Sequence, residues 1–100
     1  MRIIKGNGLA ELGERLAKID KRLVAILAER MRLSIKVARC KMNNGNEPIL
    51  RKQTERRRRL QWMEWARKEG LDPEFARTVF SVVLGESCRI QIETKEGKRI

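Results

Sequence analysis

The chain has 100 residues, of which 24 are Lys or Arg and 13 are Asp or Glu, so its formal net charge is +11. This length suits one domain, and the positive charge favours anionic partners without choosing among nucleic acid, lipid and small acids. Histidine is absent, which excludes a histidine general base, a zinc–histidine site and a Ser-His-Asp triad.

The longest predicted element is a helix over residues 8–43, rich in good helix formers. One seam of this helix advances in alternating three- and four-residue steps, as in helices that pack on other helices. The seam consists of Leu9, Leu12, Leu16, Ile19, Leu23, Ile26, Arg30, Leu33, Val37 and Cys40. A guanidinium on a buried seam keeps its charge, so Arg30 is either half of a structural ion pair or a receptor for an anionic ligand.

Such a helix would be about 50 Å long at 1.5 Å per residue, whereas a compact domain of this size has a radius of gyration of about 13 Å. A second chain must therefore cover part of the apolar seam. We expect an all-α fold in which each chain is one domain over residues 1–100 with three helices. Two chains would form an intertwined homodimeric helical bundle.

Two further helices are predicted after a turn at residues 43–48. One runs from Gln53 to Lys68 and ends at Gly70, with Leu60, Trp62, Met63 and Ala66 on its apolar side. The other begins with Asp72 as N-cap and Pro73 at its first position, and continues through Gln91. Its inward stripe is Ala76, Phe80, Val83, Ser87, Ile90 and Gln91, and residues 1–7 and 93–100 are predicted to be loose tails.

The two cysteines, Cys40 and Cys88, lie in apolar helical stretches and are predicted to be small core residues of a reduced, cytoplasmic protein. No segment approaches the roughly 18 apolar residues of a membrane span, and the N-terminus is too short and polar for a signal peptide. No metal and no cofactor are expected.

Polar residues of the three helices are predicted to converge on the core. Arg30 and Lys41 are eleven residues apart, which leaves them about 20° apart around the helix axis. Glu55 opens the second helix, and Ser87 and Gln91 interrupt the apolar stripe of the third, either as pocket residues or as a wet helix end. Two cations, a carboxylate, a hydroxyl and an amide suit a small polyanion, acted on by positioning and electrostatics.

These positions resemble the all-helical chorismate mutases over about residues 9–91. The resemblance is carried by Glu14-Arg15-Leu16, Ile19-Asp20, Leu27-Ala28-Glu29-Arg30, Lys41, Pro48-Ile49, Glu55, Gly70-Leu71-Asp72, Phe80, Glu86-Ser87 and Gln91. It implies a cytoplasmic, homodimeric isomerase that converts chorismate to prephenate in the shikimate pathway of aromatic amino-acid biosynthesis.

The resemblance also implies a role for each polar residue. Arg30 would bind a substrate carboxylate bidentately. Lys41 would bind a carboxylate and the ether oxygen, and Gln91 would donate to the same ether oxygen. Glu55 would hold the ring hydroxyl, and Ser87 would assist the other carboxylate.

One cation of the family pattern is missing. The family places an arginine near the start of the first helix, where this chain has Gly13. Arg58 shares the helix face of Glu55 and is predicted to enter the pocket in its place. Arg51 is the second choice, and a one-residue slip of the alignment would put Arg59 there. Arg15 is a weaker candidate, since two residues turn it about 200° away from Gly13. A further alternative is a drifted site of low activity.

Two other functions compete with the mutase. An isochorismate pyruvate-lyase shares the fold and the kind of substrate, and the altered residue Arg51 favours it. A basic helical dimer that binds nucleic acid is suggested by the net charge of +11 and by the run 56–59, which is all arginine. Four consecutive residues cannot share one helix face, and no set of stacking aromatics accompanies them, so nucleic acid is disfavoured as a partner.

Overall fold

In the computed structural model, residues 4–98 are described, and they form three α-helices and no β-strand. The helices are α1 (Ile4–Asn43), α2 (Lys52–Glu69) and α3 (Pro73–Lys95). The predicted all-α class with three helices is thus confirmed. Residues 1–3 and 99–100, which belong to the predicted tails, lie outside the described residues.

The chain divides into two compact units, Met1–Arg30 and Met31–Ile100. The described part of the first unit is α1 alone, and its residues from Leu9 to Glu29 are all exposed. The apolar seam is exposed with them, Leu9 at 77% and Leu16 at 61%. Residues 9–29 therefore form no apolar core of their own.

The second unit contains the end of α1 together with α2 and α3, which pack against each other. Its core is formed by Ala38, Ala66, Ala76, Phe80, Val83 and Ile90, with Phe80 fully buried. In this unit α1 turns Ser34, Ala38 and Lys41 inward, whereas the seam residues Leu33, Val37 and Cys40 stay exposed.

Two predicted core residues are therefore exposed. Cys40 belongs to the apolar seam, and each seam residue here lies one position before a residue of α1 that faces inward, so Cys40 is exposed. Leu60 is 59% exposed because α2 turns Trp62, Met63 and Ala66 toward α3, which rotates Leu60 away. The same rotation makes Arg59 the half-buried member of the arginine run.

The connections are built as the sequence predicts. α2 ends at Gly70 in the left-handed conformation, with the Leu71 amide donating to the Ala66 carbonyl at 2.8 Å. The Asp72 side chain caps α3 by accepting from the Glu74 amide at 3.2 Å, and Pro73 follows it.

The turn after α1 and the end of α3 both have a definite conformation in the structure. Gly45 and Asn46 are both left-handed, with φ of 88° and 62°, and they reverse the chain after α1. α3 continues past Gln91, the last helical residue predicted, to Lys95. Thr94 is buried there and bonds the Ile90 carbonyl at 2.8 Å, which keeps the added turn against the unit.

Candidate active site

Lys41 is the central cation of the second unit. It lies in the last turn of α1, half-buried, and its Nζ donates to the Ile49 carbonyl at 2.6 Å and to Gln91 Oε1 at 3.1 Å. Burial, and then the nearby charge of Arg51, lower the pKa of Lys41 from its usual 10.5. The ammonium is therefore a strong donor that lacks a carboxylate in hydrogen-bond contact among the described residues.

A buried hydrogen-bonded line leads from this ammonium across α3 to α1. Gln91 Nε2 donates to Ser87 Oγ at 3.4 Å, and Ser87 Oγ lies 2.5 Å from Ser34 Oγ. Ser34, Ser87 and Gln91 are all buried. Because Ser87 and Gln91 are four residues apart on one helix, their side chains present a hydroxyl and an amide on one face. The predicted interruption of the α3 stripe is thus a built polar line and not a wet helix end.

The Cys88 thiol is influenced by the charges of both Lys41 and Glu55. Burial raises the pKa of Cys88, the positive charge of Lys41 lowers it, and the negative charge of Glu55 raises it. A single thiol on α3 thus lies within electrostatic reach of both groups. Glu55, from the first turn of α2, thus acts on Cys88, whereas the charges that act on Lys41 are those of Arg51, Cys88, Lys95 and Glu47.

Glu55 is itself paired. Its Oε2 accepts from Arg59 Nη2 at 2.6 Å, one helical turn further along α2. The Arg59 guanidinium lies over the Phe80 ring, 5.5 Å from its centroid, and Phe80 in turn contacts Trp62 with ring centroids 5.3 Å apart. The carboxylate is thus fixed by a cation that rests on the core.

Two of the remaining predicted site residues, Arg51 and Arg58, are exposed and lie apart from the hydrogen bonds described above. Arg51 is exposed and pairs with Glu47 at 3.7 Å, yet its charge acts on Lys41. Arg58 is exposed on α2, next to the residue that pairs with Glu55. Arg30 ends the first unit, one turn of α1 before Ser34, and is partly exposed. The substrate-binding roles of these three arginines remain predictions.

Three contacts of the site were not predicted from the sequence, which offers Arg59 only as the alternative to Arg58 in the pocket. Ser34 lies on the inward line of α1 one turn after Arg30, a position that could have signalled a polar contact. Arg59 lies four residues after Glu55, and this spacing in the sequence could have predicted the helical ion pair. The Ile49 carbonyl belongs to a turn backbone, for which side-chain patterns give no signal.

The chemical groups of this cluster are hydrogen-bond donors and charged side chains. No group of three or more potential metal ligands occurs in the part of the chain that the structure describes, and no helix there is long and apolar enough to cross a membrane. The hydrogen bonds of Ser87 and Lys41 join them to a serine hydroxyl, a glutamine amide and a backbone carbonyl, none of which is a general base. The arrangement suits binding and electrostatic stabilisation of a small anion.

The chain was compared with protein families, curated proteins and solved structures. The family model described as chorismate mutase type II matches residues 12–92, which include all three helices' polar positions. Comparisons with curated proteins and with solved structures gave no significant match. With four-fifths of its length matched in one continuous stretch, the chain belongs to the chorismate mutase type II family.

Proposed function

We propose that the chain is a chorismate mutase, an isomerase that rearranges chorismate to prephenate. The observation that carries the proposal is the contact of Lys41 Nζ with the Gln91 amide at 3.1 Å in a partly buried setting. These two groups can donate to one acceptor from two sides. The reaction breaks a C–O bond with negative charge growing on the ether oxygen, so paired donors there lower the barrier.

The donors are available without rebuilding the site. Gln91 Nε2 carries two hydrogens, of which one is directed to Ser87 and the other is left for the ether oxygen. Lys41 has three hydrogens, and the ligand would replace its contact with the Gln91 carbonyl oxygen. A concerted rearrangement requires no proton transfer, in keeping with a site built from donors and charges.

The two substrate carboxylates require further partners. We assign one to Arg30 and Lys41 and the other to Ser87, with Arg51 and Arg58 as additional cations. Glu55 would accept a hydrogen bond from the ring hydroxyl. Chorismate bound in this way would be held in the compact conformer from which it rearranges.

We also propose that the active form is a homodimer in the cytoplasm, serving aromatic amino-acid biosynthesis. The support for the dimer is the apolar seam of α1, exposed from Leu9 to Val37 in the single chain. Exposed apolar surface of this extent is typical of an interface. A partner helix would bury the seam while the inward line of α1 stays with its own chain.

The decisive assay supplies the purified protein first with chorismate and then with isochorismate. Prephenate formation supports the mutase, whereas pyruvate release from isochorismate without prephenate would replace it with the lyase. Lys41→Ala should lower kcat/KM at least about a hundredfold, equivalent to about 2.7 kcal/mol. Lys36→Ala, an exposed lysine on the same helix, is the matched control and should retain activity.

A further inference from the structure

The pair of Glu55 and Arg59 differs from the other arginine–carboxylate pairs of the described chain. Its side chains are 28% exposed for Arg59 and 22% for Glu55. In the other pairs the arginine side chain is 48–57% exposed. Exposed pairs are screened by water and contribute little, whereas the lower exposure of the Glu55–Arg59 pair, at 2.6 Å, reduces this screening.

Arg59 is held from its other side as well. Its guanidinium lies 5.5 Å from the centroid of the Phe80 ring, which is completely buried. A cation over an aromatic face is attracted by the ring quadrupole, and the planar guanidinium can stack there while it bonds a carboxylate. The guanidinium is therefore confined between the core ring and the Glu55 carboxylate.

One of the two oxygens of the Glu55 carboxylate is available to accept a hydrogen bond from a ligand. Arg59 engages Oε2 of Glu55, and no hydrogen bond to Oε1 occurs among the described residues. A carboxylate held by one oxygen has a defined direction for its other oxygen. A hydroxyl donor that reaches Oε1 would meet a fixed, ionised acceptor.

We propose that Arg59 is a positioning residue: it holds the Glu55 carboxylate in one orientation, with Oε1 free to accept from the ligand's hydroxyl, and offsets its charge toward an anionic ligand. This inference rests on the proposed function for the identity of the ligand. Without Arg59, the Glu55 carboxylate would lose its ion-pair partner and, as an uncompensated negative charge, would repel a dianion.

The kinetic test uses Arg59→Leu and Arg59→Lys in the full-length protein, with Arg57→Leu, an exposed residue of the same helix, as control. Arg59→Leu should raise KM for chorismate about tenfold or more while kcat changes much less. Arg59→Lys should recover part of the loss, and the control should match the wild type. An unchanged KM for a folded Arg59→Leu would overturn the proposal. If that variant does not fold, Arg59→Gln carries the same expectation.

A second readout is independent of catalysis. In a chain with Cys40→Ser, the rate of Cys88 alkylation by iodoacetamide against pH reports the thiol pKa. Arg59→Leu should raise this pKa, because the charge of Glu55 would no longer be offset, and Glu55→Gln should lower it. If Arg59→Leu leaves it unchanged, Arg59 does not control Glu55. If the shifts appear but prephenate does not form, the proposed function fails and the positioning role stands.

Discussion

At the scale of single residues, the burial of Lys41 has a consequence for pH dependence. Its pKa is lowered from 10.5 by burial and by Arg51, so the free protein loses this positive charge at a lower pH than an ordinary lysine would. We expect kcat/KM to fall on the alkaline side below pH 10.5. The fall in kcat should lie at higher pH, because a bound dianion favours the charged ammonium.

Two variants separate Lys41 from other titrating groups. Lys41→Arg should abolish the alkaline fall, at reduced rate, because a guanidinium stays charged throughout this range. Cys88→Ser should preserve the fall, which would exclude the neighbouring thiol as its cause. An alkaline fall that persists in Lys41→Arg would contradict the assignment.

Gln91 gives a second pH prediction. Gln91→Glu places a carboxyl group 3.1 Å from the Lys41 ammonium in a buried position, and only its protonated form can donate to the ether oxygen. Activity should therefore decline as pH rises and should be best on the acidic side of the wild-type profile. Gln61→Glu, on the exposed face of α2, is the control. A pH–rate profile for Gln91→Glu that matches the wild type would remove Gln91 from the site.

The arginine run illustrates what the sequence could not decide. Arg58 and Arg59 both lie within one turn of Glu55, so spacing alone allows either to meet it. Their 100° separation around α2 is small enough that the packing of Trp62 and Ala66 against α3 decides which one is half-buried. Ser87 and Gln91 were predictable because polar residues in an apolar stripe stand out.

At the scale of the helices, composition and end signals predicted the three helices and the connection between α2 and α3. Gly70, Asp72 and Pro73 act locally, and each has the conformation or contact that its chemistry favours. The end of α3 was harder to predict because Ile90 to Thr94 alternates like a strand. Burial of Ile90, Gln91 and Thr94 in the second unit selects the helix, a tertiary effect that local propensity does not contain.

The N-cap of α3 provides a prediction of stability. Asp72→Ala removes the acceptor for the Glu74 amide and should lower the free energy of unfolding by about 1 kcal/mol. Asp72→Ser retains a capping oxygen and should lose only a small part of this. Urea denaturation followed by circular dichroism measures both. Equal stability of the alanine and serine variants would show that the cap contributes nothing.

At the scale of the whole molecule, the exposed seam of α1 predicts association. Sedimentation at micromolar concentration should give the mass of two chains. Leu16→Glu places a charge in the seam and should weaken the dimer, whereas Lys18→Glu, which lies off the seam, should not. A folded monomer of the wild-type chain would refute the dimer and remove the support from the proposed intertwined bundle.

The contact of the tilted Trp62 and Phe80 rings gives the protein an optical reporter. Trp62 is partly buried beside the ring that supports Arg59, whereas Trp65, the other tryptophan of the sequence, is 56% exposed. Iodide should quench Trp65 first, and Trp65→Phe would leave a single emitter. The fluorescence lifetime of Trp62 would then report any rearrangement of the Phe80 ring and the Arg59 guanidinium when a ligand binds. Binding of unreactive substrate analogues could therefore be measured without catalysis.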